Sequence, residues 1–74
     1  MTAAAKPQPA PVFNRKAFIK ALDDANMTPT ELAEEMGASV AAIARWMAGI
    51  ATPKAGYATY AAEILDIDVD DLYS

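Results

Sequence analysis

The chain predicts an all-α fold, a compact bundle of five short helices in which helices 2 and 3 form a helix-turn-helix. Three observations carry this. No segment alternates apolar and polar residues with the period of two that marks a half-buried strand, whereas apolar residues recur at helical spacing. Helix-starting signals (Asn14, Thr28-Pro29, Ser39, Thr52-Pro53) and the helix-stopping Gly37 and Gly49 divide the chain into short pieces. Hydrophobic residues make up 54% of the 74 and charged residues 22%, enough apolar surface for a core and too much for wholesale disorder.

Taken in order, residues 1–12 read as a flexible N-terminal arm. Pro7, Pro9 and Pro11 alternate, which forbids a continuous helix and favours an extended, solvated segment. Residues 13–74 read as one domain. Asn14 caps a first helix to about Ala25, with Ala17, Phe18, Ala21, Leu22 and Ala25 at helical spacing. Thr28-Pro29-Thr30-Glu31 is a capping box with proline at the first helical position. It opens a second helix through Met36, with Leu32, Ala33 and Met36 inward, and Gly37 ends it in a left-handed conformation. Ser39 caps a third helix to about Ala48, with Ile43, Trp46 and Met47 as its buried stripe, and Gly49 stops it. Thr52-Pro53 reads as a further cap with its N1 proline. The helix it opens runs to about Leu65, with Tyr57, Ala58, Ala61, Ala62 and Leu65 on one side and Gly56 weakening its first turn. Asp68-Val69-Asp70-Asp71 opens a last single turn anchored by Leu72, with its acids at the positive helix end.

Composition removes several classes of function. The chain has no Cys and no His, so disulfides, Cys/His zinc sites, thiol nucleophiles and imidazole acid–base chemistry are absent. A single small domain has no interdomain cleft. The expectation is a non-enzyme with neither cofactor nor metal. No apolar run approaches the length of a membrane span. The N-terminus carries Lys6 with no apolar stretch behind it, so it does not read as a secretory signal. A cytoplasmic location is the simplest expectation.

The feature that carries function is helix, Gly37-Ala38-Ser39, helix. Two helices joined by so short a turn cross steeply, bury their inner angle and leave the second standing proud on its outer face. By 3.6-residue spacing that face is Val40, Ala41, Ala44, Arg45 and Ala48. A helix displayed this way fits a major groove about 12 Å wide.

Leu32-Ala33-x-x-x-Gly37-x-Ser39-x-x-x-Ile43, then Gly49, Pro53 and Ala62-x-x-Leu65-x-Ile67-x-x-x-x-Leu72, resembles the helix-turn-helix domain of phage Cro and cI-type repressors, the Xre-like group. The resemblance covers about Phe13 to Leu72. It implies a sequence-specific regulator of transcription, phage or prokaryotic, that binds double-stranded operator DNA. The family's recognition helix falls on Val40 to Ala48 and its base-reading positions on Val40, Ala41 and Arg45, with Ala44 close by. Its phosphate-anchoring groups fall at Thr28 to Thr30, and the loop Gly49 to Lys54 lies along phosphates. Ser39, as the cap of the recognition helix, joins the DNA-facing set, as do Lys54 and Arg15 as phosphate partners.

Some positions depart from the family. Pro29 stands where the family often has Gln, and it offers neither a side-chain amide nor an N–H. The recognition face is mostly Ala and Val, which touch thymine methyls but donate nothing, so Arg45 is its one strong donor to a base edge. A family position pair that is commonly a buried Arg and Glu falls on Leu22 and Met47. An apolar pair there is sound, since buried ion pairs often barely repay their desolvation.

The net charge of −4 is segregated. Residues 1–56 hold all six basic residues and five of the ten acids, and residues 57–74 hold five acids and no base. Acids a domain's width from a duplex cost little across a Debye length of about 8 Å. Arg45, Lys54 and Arg15, with Lys20 or Lys6, supply about three to five phosphate-neutralising charges per subunit, so a lone subunit binds weakly. A homodimer on DNA, monomeric or dimeric when free, doubles the contacts. Ile67, Val69, Leu72 and Tyr73 are the candidates for its interface. The alternative is a protein-interaction module, an antitoxin-like binder or an inhibitor of another regulator, that keeps this fold without binding DNA. Its basis is the acidic total and the apolar Val/Ala face.

Overall fold

Local capping chemistry sets where the helices begin. In the computed structural model, which describes residues 12–73, α1 spans Arg15–Asp24, α2 Pro29–Met36, α3 Val40–Ala48 and α4 Ala55–Leu65. The Asn14 side chain accepts the Ala17 N–H, Thr28 the Glu31 N–H and Ser39 the Ala42 N–H, each at 3.1 Å. At α2 the box is closed by Glu31, whose Oε1 accepts the Thr28 N–H at 2.8 Å. The proposed arm falls almost wholly on residues 1–11, outside the described residues.

Two expectations about the second half are corrected. The fifth helix is a 3-10 turn, Val69–Leu72, so the described residues form four α-helices and one 3-10 turn. Asp68 Oδ1 accepts the Asp70 N–H at 3.0 Å and closes that turn locally, with four residues too few for an α-helical ladder. The fourth helix starts at Ala55 with Lys54 as its N-cap, not at Thr52-Pro53. Pro53 is buried, so its ring packs the α3–α4 connection and the chain stays extended to Lys54.

All four α-helices stop the same way. A residue in the left-handed region follows or caps the helix: Asn26 (φ 56°), Gly37 (φ 70°), Gly49 (φ 77°) and Asp66 (φ 60°). The next N–H then reaches back five residues, as in Ala38 N–H to Ala33 O at 2.9 Å and Ile50 N–H to Arg45 O at 3.0 Å. Gly37 and Gly49 differ in one respect. A Cβ at Gly37 meets nothing within 4 Å, whereas one at Gly49 lies 3.0 Å from the Arg15 Cδ. Gly37→Ala is therefore expected to cost only the left-handed penalty, about 1–2 kcal/mol. Gly49→Ala carries that cost and also displaces Arg15, so its melting temperature falls further below wild type; equal melting temperatures would show that the contact is unimportant.

The core lies among α1, α2, α3 and α4, and the 3-10 turn closes it against α1 and α4. Phe18, Leu32, Ile43 and Leu72 are its largest fully buried side chains. The expected inward faces of α2 and α4 hold, with Leu32, Ala33, Met36, Ala58, Ala61, Ala62 and Leu65 all buried. Three inward assignments are corrected. Ala25 is exposed beyond the end of α1, Met47 is half-buried, and Tyr57 is 45% exposed with its ring stacked on buried Trp46 at a centroid distance of 6.1 Å. The two ends of the domain meet: Phe13 pairs with Tyr73 in an isolated antiparallel bridge, and the Asn14 N–H donates to Leu72 O at 2.7 Å.

That closure bears on the four residues expected to form a dimer surface at the C-terminus. Leu72 is completely buried, and Ile67, Val69 and Tyr73 are half-buried against the same core. Phe13 and Tyr73 stack edge to face at 5.9 Å. These side chains complete a small core that needs each of them.

Candidate nucleic-acid interface

The α2–turn–α3 unit presents α3 outward. Its inward side chains, Ile43 and Trp46, are buried, and Trp46 meets Phe18 of α1 edge to face at 6.2 Å. Its opposite face, Val40, Ala41, Ala44, Arg45 and Ala48, is exposed throughout, as the helical period requires. Val40 is 45% exposed at the head of the helix. Among the described residues no side-chain hydrogen bond or ion pair engages Arg45, so its guanidinium is free to reach a ligand.

From Gly37 to Ala62 the sequence contains no acid, only Arg45 and Lys54. The described helix α3 and the loop behind it therefore carry positive charge alone. Glu63, Asp66, Asp68, Asp70 and Asp71 are all exposed on the end of α4 and the turn that follows.

The α2 N-terminus is more restricted than its position suggests. Pro29 has no N–H, the Glu31 N–H is held by Thr28, and the Thr28 N–H is held by the Glu31 carboxylate. What remains for an anion is the Thr30 N–H, the exposed Thr30 hydroxyl, and the proton of the Thr28 hydroxyl, whose oxygen already accepts. Ser39 is in the same state, accepting from Ala42 and left with one proton to donate. The Glu31 carboxylate adds a negative charge at this mouth, a feature the capping-box signal in the sequence implies but charge counting hides.

The cations differ in their commitments. Arg15 Nη1 donates to Met47 O at 3.2 Å, placing a positive group at the negative end of α3. The bond spans 32 residues, so no local sequence signal announces it. Lys20 is paired with Asp24 at 2.8 Å, and that hydrogen bond together with the neighbouring carboxylate charge raises its pKa. Lys54 is exposed, and α4 begins beside it without a side-chain cap. The outward face of α3, Thr28, Thr30, Ser39 and Lys54 are all open to solvent, and Arg15 is exposed at the α3 terminus.

Comparison with known proteins agrees with this geometry. No curated protein matches the sequence. A crystal structure of a "putative DNA-binding protein" from Bacteroides fragilis superposes with a TM-score of 0.74 at 31% identity, over 84% of this chain and 97% of that one. None of the described helices is long and apolar enough to cross a membrane. Residues 19–72, which contain α2, the Gly37 turn, α3 and α4 whole, match the helix-turn-helix family model, and the chain belongs to that family in its Xre, Cro and cI branch.

Proposed function

We propose that the protein is a sequence-specific, double-stranded DNA-binding regulator that sets α3 in the major groove. The observation that carries this is the outward face of α3, open to solvent, free of acids and bearing one uncommitted guanidinium. Arg45 reads a base edge, Val40, Ala41 and Ala44 contact methyl groups and fit the groove, and Thr28, Thr30, Ser39, Lys54 and Arg15 hold phosphates. Arg15 contributes through its position at the α3 C-terminus, with one N–H already donated to Met47 O. The similarity to the Bacteroides fragilis protein supports the same reading. The protein acts without catalysis, and two copies engage a two-fold operator.

Selection from random duplex DNA at two salt concentrations tests this. A palindromic motif whose affinity falls with salt, by a log–log slope of about −0.9 for each phosphate neutralised, is the expected result. Recovery of unrelated sequences at both concentrations would defeat the reading and favour the protein-interaction alternative, which half-exposed Val40 and the apolar α3 face also suit.

Glu31 gives a second test. Glu31→Gln keeps an oxygen to accept the Thr28 N–H but removes the charge at the phosphate-facing end of α2. DNA affinity is expected to rise about threefold at low salt, the size of a surface charge interaction of about 0.7 kcal/mol. The gain fades as salt increases. Unchanged affinity in titrations at low salt would mean that α2 does not approach the backbone.

A further inference from the structure

We propose that α3 recognises the C5-methyl group of a pyrimidine rather than the pyrimidine itself, so that 5-methylcytosine is read as thymine and binding responds to cytosine methylation. The inference rests on the regulator described above and names the chemical group that its helix takes.

The first observation is what the outward face of α3 lacks. Val40, Ala41, Ala44 and Ala48 are exposed and present only methyl groups. No Asp, Glu, Asn or Gln occurs between Glu35 and Glu63. The Ser39 hydroxyl oxygen, at the head of the helix, already accepts the Ala42 N–H at 3.1 Å. The amino groups of adenine and cytosine are the donors of the major groove, and a side chain reads them by accepting. This face of α3 has no side-chain acceptor to offer them.

The second observation is what the face carries. Arg45, with no side-chain partner among the described residues, matches the paired acceptors of guanine. Ala41 precedes it by four residues and Ala48 follows it by three, so both share its side of the helix. A guanine held by Arg45 therefore has apolar surface to either side of it. The group of the major groove that meets such a surface favourably is a pyrimidine C5-methyl. The face thus distinguishes two features, a guanine and a methyl beside it.

Those two features do not separate a TG step from a CG step methylated at its cytosine. Thymine and 5-methylcytosine carry the methyl on the same ring carbon. At the groove edge they differ at position 4, a carbonyl oxygen in one and an amino group in the other. A helix that required thymine would hold a donor for that oxygen, and one that required cytosine would hold an acceptor for that amine. Beside Arg45 there is neither, since its neighbours on this face are alanine and valine. Unmethylated cytosine offers the alanines no methyl, and its amino group loses water against them without gaining an acceptor.

Selection with the full chain from two random duplex libraries, one unmodified and one methylated at the cytosines of CG steps, tests the proposal. The unmodified library is expected to yield a motif containing TG. The methylated library should yield the same motif with methylated CG admitted at that step. In titrations, replacing the thymine by uracil or by unmethylated cytosine should weaken binding about fourfold for each methyl removed, and 5-methylcytosine should restore it. Ala41→Ser, Ala44→Ser and Ala48→Ser put a hydroxyl on the exposed face without touching the core, and at least one should shrink the difference between thymine and uracil. A motif with no guanine beside a thymine, a uracil site bound as tightly as its thymine form, or an unmethylated CG site as strong as its methylated form would each overturn the proposal. So would a methyl preference unchanged in all three serine variants, which would mean that methylation acts through the shape of the duplex. Recovery of no motif from either library would defeat the regulator and this inference with it, whereas a motif indifferent to its methyls defeats the inference alone.

Discussion

Replacing Ile43 by alanine is expected to cost about 2–5 kcal/mol, the range for removing a buried isoleucine and leaving part of its volume empty. Ile43 has no exposed surface, and it lies on the one face of α3 that packs inward, between the Gly37 turn and Trp46. A domain this small has a total stability near the low end of about 5–15 kcal/mol. The variant should therefore retain no more than about 3 kcal/mol, and its urea midpoint should fall well below that of wild type. Val40→Ala, three residues earlier on the same helix, is the matched control. Val40 is 45% exposed, and alanine is the better helix former, so stability should change by less than about 0.5 kcal/mol. An Ile43→Ala protein within 1 kcal/mol of wild type, by the linear extrapolation of urea curves, would mean that α3 is not held from this face.

The contrast between those two residues shows what a sequence of this kind makes legible. The face of α3 follows from a 3.6-residue period, and its cap is a bond between Ser39 and Ala42, three residues apart. Asn14 and Thr28 are read for the same reason, because the donor and acceptor lie within one turn. The features that escaped depend on distant parts of the chain. Pro53 looks like the first residue of a helix until its ring is found buried in the α3–α4 connection. Leu72, Ile67 and Val69 have the same apolar character whether they fill their own core or face a partner. The pairing of Phe13 with Tyr73 shows that they line their own core, with Leu72 fully buried and Ile67 and Val69 half-buried. Asn26 and Asp66 end helices as Gly37 and Gly49 do, but they lack the plain glycine signal. In the candidate interface, the exposure of Val40, Ala41, Ala44 and Arg45 was periodic and therefore legible. The bond from Arg15 to Met47 was not, and it ties Arg15, expected only as a phosphate partner, to the end of α3.

Arg45→Ala is expected to remove about 1–3 kcal/mol of discrimination at one base pair of the selected operator. Arg45 is the sole strong donor on the outward face of α3, since its neighbours there are alanine and valine. The guanidinium fork matches the paired acceptors of a guanine in the major groove, and the alanine methyls cannot replace it. Loss should therefore fall on the operator and spare random duplex. Arg45→Lys separates the roles: it keeps the charge, so non-specific affinity and salt slope stay close to wild type, while the two-pronged contact and the base preference are lost. Lys54→Ala should behave in the opposite way, weakening all sequences alike and lowering the salt slope by about one. Competition titrations of operator against random DNA give both quantities. If Arg45→Ala weakened operator and random duplex equally, the guanidinium would be a phosphate contact. Sequence reading would then fall to the methyl contacts and shape fit of Val40, Ala41 and Ala44, a face with too few donors to distinguish G·C from C·G.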